Sequence, residues 1–194
     1  MKYTKLIPLL VTLYLASQQS LAKKHEHKQE LQINHLELAS LMLKDGNLNR
    51  AEIALSQVDL TDGALDLQRY YIISALFNIR TNKNKVAIEL IQKAKELGTV
   101  DAVMDVYLAQ AAYATEDYLL AIDALDSAGV TVAKIPSIYH MRAQSHWHLK
   151  NYEMAIAVLD QATKIFTENK SFPRRKIFYY LELGYNKQAA ILGK

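Results

Sequence analysis

From Leu31 to the C-terminus, apolar residues recur at three- and four-residue intervals, the spacing of helices that each bury one stripe. No run alternates with the period of two expected of a half-buried strand. A longer period overlies the helical one. In units of 34 positions beginning at Gln32, Gln68, Ala102, Pro136 and Lys170, position 8 holds Ala39, Ala75, Ala109, Ala143 and Ile177. Position 20 holds Ala51, Ala87, Ala121, Ala155 and Ala189; position 24 holds Leu55, Ile91, Leu125 and Leu159; position 27 holds Val58, Ala94, Ala128 and Ala162. A period of this length is the mark of stacked helix pairs. Paired helix axes lie ~8–10 Å apart, so a small residue on each helix at the crossing lets the backbones approach. Larger apolar residues one turn away then fill the layer against the next pair.

Turn signals fall where such pairs need them. Lys44-Asp45-Gly46-Asn47 closes the first helix of unit one, with Gly46 placed as a left-handed cap, and Gly184 stands in the same place in unit five. Asp117-Tyr118 and Asn151-Tyr152 open the second helices of units three and four, where Asp or Asn can cap. The two extra residues between units one and two belong in or near the Thr-, Asp- and Gly-containing loop 60–66.

These residues resemble the tetratricopeptide repeat family from about Gln32 onward: small residues at 8 and 20, an aliphatic residue at 24, and Tyr118 and Tyr152 at 17. The chain departs from that pattern at position 4, where His35, Asp105 and Pro173 stand in place of a large aromatic and only Tyr71 and Tyr139 keep one. Position 8 is Ala rather than Gly, and position 32 is never Pro. The resemblance implies an all-α, right-handed solenoid of antiparallel helix pairs, four to five repeats long, with a concave binding face. In the family that face is built by the first helix of each unit, chiefly at positions 2, 5, 9, 12 and 13.

Positions 5, 9 and 12 lie within one 60° arc of a helix, about 100° from packing positions 4, 8 and 11. They hold Leu36, Ile72, Val106, His140 and Arg174; then Ser40, Leu76, Gln110, Gln144 and Phe178; then Leu43, Ile79, Tyr113, Trp147 and Leu181. A candidate groove for a segment or helix of another protein therefore comprises Ile72, Leu76, Val106, Gln110, Tyr113, His140, Gln144 and Trp147. Tyr113 and Trp147 would be its anchors, as Trp and Tyr are enriched among interface hot spots. The alternative for both is to seal neighbouring helices, and burial is the expectation for Leu43 and Ile79. The family's grip on C-terminal carboxylates uses Lys, Arg and Asn where this chain has apolar residues or Gln, so an acidic C-terminal peptide is not the expected ligand.

The N-terminus changes the picture of where this happens. Lys2 and Lys5 precede an eleven-residue apolar run, 6–16, and Ser20-Leu21-Ala22 has the small-x-small ending of a cleavage site. Residues 1–22 thus read as a signal peptide, 23–30 (KKHEHKQE) as a flexible polar leader and 31–194 as the repeat domain. The expected location is outside the cytoplasm: periplasmic in a bacterium with two membranes, otherwise secreted. Eleven apolar residues fall short of the ~20 that span a bilayer, and no later stretch reaches it.

Loss of Lys2 and Lys5 leaves 21 basic against 20 acidic residues, no footprint for nucleic acid. With no cysteine there is no disulfide framework, thiol nucleophile or thiolate metal site. No phosphate loop, nucleophile elbow or HExxH is present, so neither an enzyme nor a cofactor is expected. His146 and His148 point apart on one helix, and His35 and His146 sit at packing positions. His140 and His148 share a face about two turns apart, too far for one ion. Cleavage after Ala22 would place His25 third from the new amine, a chelate suited to Cu(II) or Ni(II); a polar leader accounts for it equally, and no metal site is expected. The acidic residues Asp123, Asp126, Glu153 and Asp160 read as a solvated face.

Two features remain. The run 170–176 (KSFPRRK) is densely basic, and Arg174, Arg175 and Lys176 form a candidate patch for an anionic glycan or lipid head group. The commoner role of such a run is a soluble turn into the next helix. Unit five ends early and is apolar, with Ile177, Phe178, Tyr180 and Leu181 in its first helix. That favours docking, onto a second copy in a homodimer or onto a larger partner, unless 186–194 folds over the end as a lid. The expected activity is non-catalytic protein binding as an adaptor or scaffold in the cell envelope, with an envelope glycan- or membrane-surface binder as the alternative.

Overall fold

A computed structural model describes residues 34–129 and 133–193; the expected signal peptide, the expected leader and His25 lie outside them. Ten helices account for the described chain: α1 (His35–Lys44), α2 (Leu48–Ser56), α3 (Leu67–Arg80), α4 (Asn84–Leu97), α5 (Ala102–Ala114), α6 (Tyr118–Ala128), α7 (Pro136–His148), α8 (Tyr152–Ile165), α9 (Ser171–Glu182) and α10 (Asn186–Leu192). They pair in sequence as five antiparallel hairpins, each packed on the next, so the fold is the all-α repeat solenoid that the 34-residue period implied. The alanines do what their size suggests. Ala39, Ala75, Ala109 and Ala143 at position 8, and Ala51, Ala87, Ala121 and Ala155 at position 20, are all completely buried.

Each hairpin turns by the same backbone device. The residue at position 15 has positive φ in every unit: Gly46 (73°), Asn82 (58°), Glu116 (64°), Lys150 (62°) and Gly184 (77°). The amide at position 16 then donates back to the carbonyl at position 11, as in Asp117 to Ala112 (2.9 Å) and Asn151 to His146 (2.9 Å), the longer bond of a Schellman turn. Gly46 and Gly184 fit this conformation without strain; Glu116 and Lys150 adopt it against the preference of a residue bearing Cβ. Asn34, Asn47, Asp66, Asp101 and Asp117 cap the helices that follow them through their side chains. Asn151 does not: its side chain makes no cap bond, and α8 starts without one.

The core is a series of layers between units, not a single centre. One layer joins Leu36, Ala39, Leu43, Ala51 and Ala54 of unit one to Ile73 and Phe77 of unit two. A second links Ala75 and Ile91 to Met104, Leu108 and Ala109, and continues through Leu125 to Ile138. A third closes Tyr139, Ala143, Ala155 and Leu159 of unit four with Phe172 and Tyr179 of unit five. Positions 3 and 10, seven apart and so on one side of the helix, are therefore packing positions as well as 4, 8 and 11. They reach back into the preceding unit: Met104 and Ala111, Ile138 and Ser145, Phe172 and Tyr179 are all buried.

Ion pairs repeat with the layers. Arg142 binds Asp126 at 2.8 Å and Lys176 binds Asp160, each joining position 7 of one unit to position 25 of the unit before. Asp126 and Asp160 are thus bridging residues, not members of a purely solvated face. Asp105 at position 4, where the family keeps an aromatic, is buried and paired with Lys95 at 2.7 Å. Among successive first helices α1 touches α3 and α3 touches α5, and among the described residues no comparable contact links successive second helices. That difference puts α1, α3 and α5 on the inside of the curve.

Candidate functional site

The predicted groove residues all lie on the first helices α3, α5 and α7. Ile72, Leu76 and Val106 are half-buried and pack on the layer between units two and three, so they present their outer edges only. Gln110 is exposed. Leu43 is buried and Ile79 half-buried.

Beyond Gln110 the inner face is a chain of rings and amides held from one unit to the next. Tyr113 donates its hydroxyl to Gln144 Oε1 at 3.3 Å and meets Tyr118 edge-on at 5.6 Å between centroids. Tyr118 stacks in turn on His148 at 4.3 Å. Trp147 lies flat on Tyr179, with centroids 3.9 Å apart and planes 7° from parallel, and its other neighbour is Tyr152 at 4.7 Å. Trp147 thus takes the sealing role of the two readings: it is half-buried and joins unit four to unit five. His140 stacks on Phe172 at 4.3 Å and shares a 2.7 Å hydrogen bond between Nε2 and Ser171 Oγ.

Electrostatics follow from this packing. Burial and, next, the Arg175 guanidinium push the His140 imidazole below the usual histidine range. Burial, with Arg142 adding to it, does the same to His146. Tyr179 is pushed up to about 12, chiefly by burial; its hydroxyl is enclosed without a hydrogen-bond partner. Two smaller influences oppose each other there, the Arg175 guanidinium drawing it down and Tyr113 pushing it up.

The basic patch is rearranged relative to expectation. Lys176 turns to Asp160 and lies over the Tyr180 ring at 5.4 Å, which removes it from the patch. Arg174 and Arg175 instead join Lys170, Ser171, Glu168, Asn169 and Phe178 around an open recess of 790 Å³. Among the described residues, none of Lys170, Arg174 and Arg175 pairs with a carboxylate. No three His, Asp or Glu of the described residues converge on a point that could hold a metal ion. No described helix is long and apolar enough to cross a membrane.

Sequence reasoning missed Tyr179, a fully enclosed ring at the site, and the part played by Ser171. A residue seven positions after an already buried aromatic, Phe172, was the available signal for Tyr179. Nothing in the local sequence distinguishes Ser171.

No family model matches the chain, and no curated protein matches it. Solved structures do. MamA AMB-1 superposes with a TM-score of 0.70 at 16% identity, over 81% of this chain and 85% of that one. MamA MSR-1 gives 0.69 at 16%, over 81% and 90%, and the MamA RS-1 ArsTM double mutant 0.67 at 13%, over 81% and 88%. MamA is an all-helical protein of tetratricopeptide-like fold. At these identities the likeness is one of fold, and it agrees with the solenoid described above.

Proposed function

We propose that this chain is a non-catalytic interaction module whose inner face holds a segment of another protein, and that it does so outside the cytoplasm as an adaptor or scaffold of the cell envelope. The observation that carries this reading is the inner-face row Gln110, Tyr113, Gln144 and His140. These are partly accessible polar and aromatic groups, each but Gln110 fixed by a neighbour in the adjoining unit. Side chains already immobilised lose little entropy when a partner binds, and amides offer both donors and acceptors to an extended backbone. The apolar edges of Ile72, Leu76 and Val106 continue the row toward unit two. Export rests on the N-terminal layout, and the scaffold role on the fold it shares with MamA.

The test is co-purification from envelope fractions with Gln110→Ala, Tyr113→Phe and Gln144→Ala combined, and separately with Trp147→Phe. Phe rather than Ala at 147 preserves the stack on Tyr179, so a lost partner would report on the face and not on unfolding. Retention of the same partners by the triple variant, with an unchanged helical signal, would place the binding face elsewhere. The cations of the 790 Å³ recess, which pair with no carboxylate among the described residues, favour one second reading, an anionic glycan or lipid surface. Arg174→Ala with Arg175→Ala, and high salt, would abolish that binding and leave capture on the amide row intact.

A further inference from the structure

The layers between units have a direction. Position 10 of each unit enters the layer of the unit before it, whereas position 12 faces the unit after it. Trp147 at position 12 stacks on Tyr179 at position 10 of the next unit, and Tyr113 at position 12 bonds Gln144 at position 9 of the next. Two positions break the pattern of burial, and they are the two ends. Position 10 is buried as Phe77, Ala111, Ser145 and Tyr179, but Leu41 in unit one is 50% exposed because no described unit precedes it. Position 12 is covered or half-covered as far as Trp147, but Leu181 in unit five is 52% exposed, flanked by Phe178 at 48%. Each end of the described chain presents half of a layer that its interior completes four times.

Charge distinguishes the two halves. Residues 34–66 carry six acidic and two basic side chains, and residues 170–193 carry five basic and one acidic. With Glu37 and Glu52 paired to Arg69 and Lys83 of unit two and Lys176 to Asp160 of unit four, four acidic against two basic remain at one end and four basic against one acidic at the other. Two copies of the basic end would repel, as would two copies of the acidic end. A basic end against an acidic end attracts, and it sets Leu181 where position 12 stands and Leu41 where position 10 stands in an internal layer.

We infer that the chain associates head to tail with a second copy of itself, unit one of one molecule stacking on unit five of another as a continuation of the solenoid. This contact uses different surfaces from the inner-face row and does not depend on it. Because the contact joins unlike surfaces, it propagates into open rows or closes into rings; the two-fold homodimer through unit five would do neither.

Sedimentation velocity on the purified, processed chain over a wide concentration range tests it, with the exposed-site variants Leu41→Asp and Leu181→Asp. The wild type should grow beyond a dimer with concentration, and the association should weaken at least tenfold as salt rises from low to high. Each variant alone should be monomeric, since every molecule lacks one of the two surfaces. Mixed one to one, they should form a heterodimer and stop there, the free unit five of Leu41→Asp meeting the free unit one of Leu181→Asp. A monomeric wild type at all concentrations overturns the inference. So does self-association of Leu41→Asp alone, which means tail-to-tail pairing, or of Leu181→Asp alone, which means head-to-head pairing. Failure of the two monomeric variants to pair overturns it as well.

Discussion

Tyr179 offers the sharpest test of how units four and five hold together, because its ring and its hydroxyl pull in opposite directions. The ring is 1% exposed and stacks on Trp147 at 3.9 Å; the hydroxyl is enclosed with no partner. Removing a buried aromatic side chain to Ala costs ~3–5 kcal/mol, and the stack contributes ~0.5–1.5 kcal/mol of that. An unsatisfied buried hydroxyl costs ~1–3 kcal/mol, and Tyr179→Ala relieves part of it. The net expectation is a loss of about 2–4 kcal/mol for Tyr179→Ala. Tyr179→Phe, which keeps the ring and drops the hydroxyl, should be neutral or gain about 1 kcal/mol. Trp147 is the only tryptophan in the chain, so its emission reports on this junction alone, whereas circular dichroism reports on all ten helices. In urea, Tyr179→Ala should shift the emission midpoint well below the helical midpoint, since solenoid stability is a sum of units and their interfaces. Tyr179→Phe should leave the two transitions together. The reasoning fails if Tyr179→Ala moves neither midpoint by as much as 1 kcal/mol, or if Tyr179→Phe destabilises by that amount. The raised Tyr179 also fixes an alkaline limit. The unfolded chain ionises near pH 10 and the folded one only at about 12, so this contribution is complete below 10 and lost between the two. The Phe variant should flatten that part of the profile.

Three further outcomes follow from the same structure. Lys150→Gly, and independently Glu116→Gly, should raise stability by about 1 kcal/mol in thermal melts, because each residue holds a left-handed conformation that glycine adopts at no steric cost; both changes being destabilising would contradict the turn geometry. Ala143→Leu should cost about 1–3 kcal/mol by overpacking a fully buried helix crossing, whereas Leu181→Ala on the exposed end should change monomer stability by less than about 0.5 kcal/mol. For the depressed His140 and His146, both states are neutral above the unfolded value of about 6.5. Below it the unfolded chain takes up protons first, so stability should fall from there until the folded imidazoles titrate; the drop in melting temperature between pH 7.5 and 5.5 should shrink in His140→Gln.

Much of the architecture could be read from one set of residues. Alanines at fixed places in a 34-residue period tell of helices crossing closely, and a crossing that tolerates only a methyl group leaves few alternatives. The groove was legible to the extent that helix geometry puts Gln110, Tyr113, Gln144 and Trp147 on one side. What each of them touches was not, because the contacts run between residues about 30 positions apart. Position 10 carries Leu, Phe, Ala, Ser and Tyr in turn. No residue type recurs there for a pattern to catch, yet its backbone direction always sends the side chain into the previous unit.

The same division holds elsewhere. Gly46 and Gly184 declare a left-handed turn in the sequence, whereas Glu116 and Lys150 reach it because the helices on either side leave the chain no other path. Lys176 reads as part of a cationic run and becomes, once α8 and α9 lie side by side, the partner of Asp160. Composition and periodicity determined that helices would stack and where they would cross, and the resemblance to the tetratricopeptide repeat implied which face would look inward. Tertiary structure decided which charges are neutralised, which rings are locked together and which half-layers are left open at the two ends, since each depends on what the adjoining unit, or its absence, brings within reach.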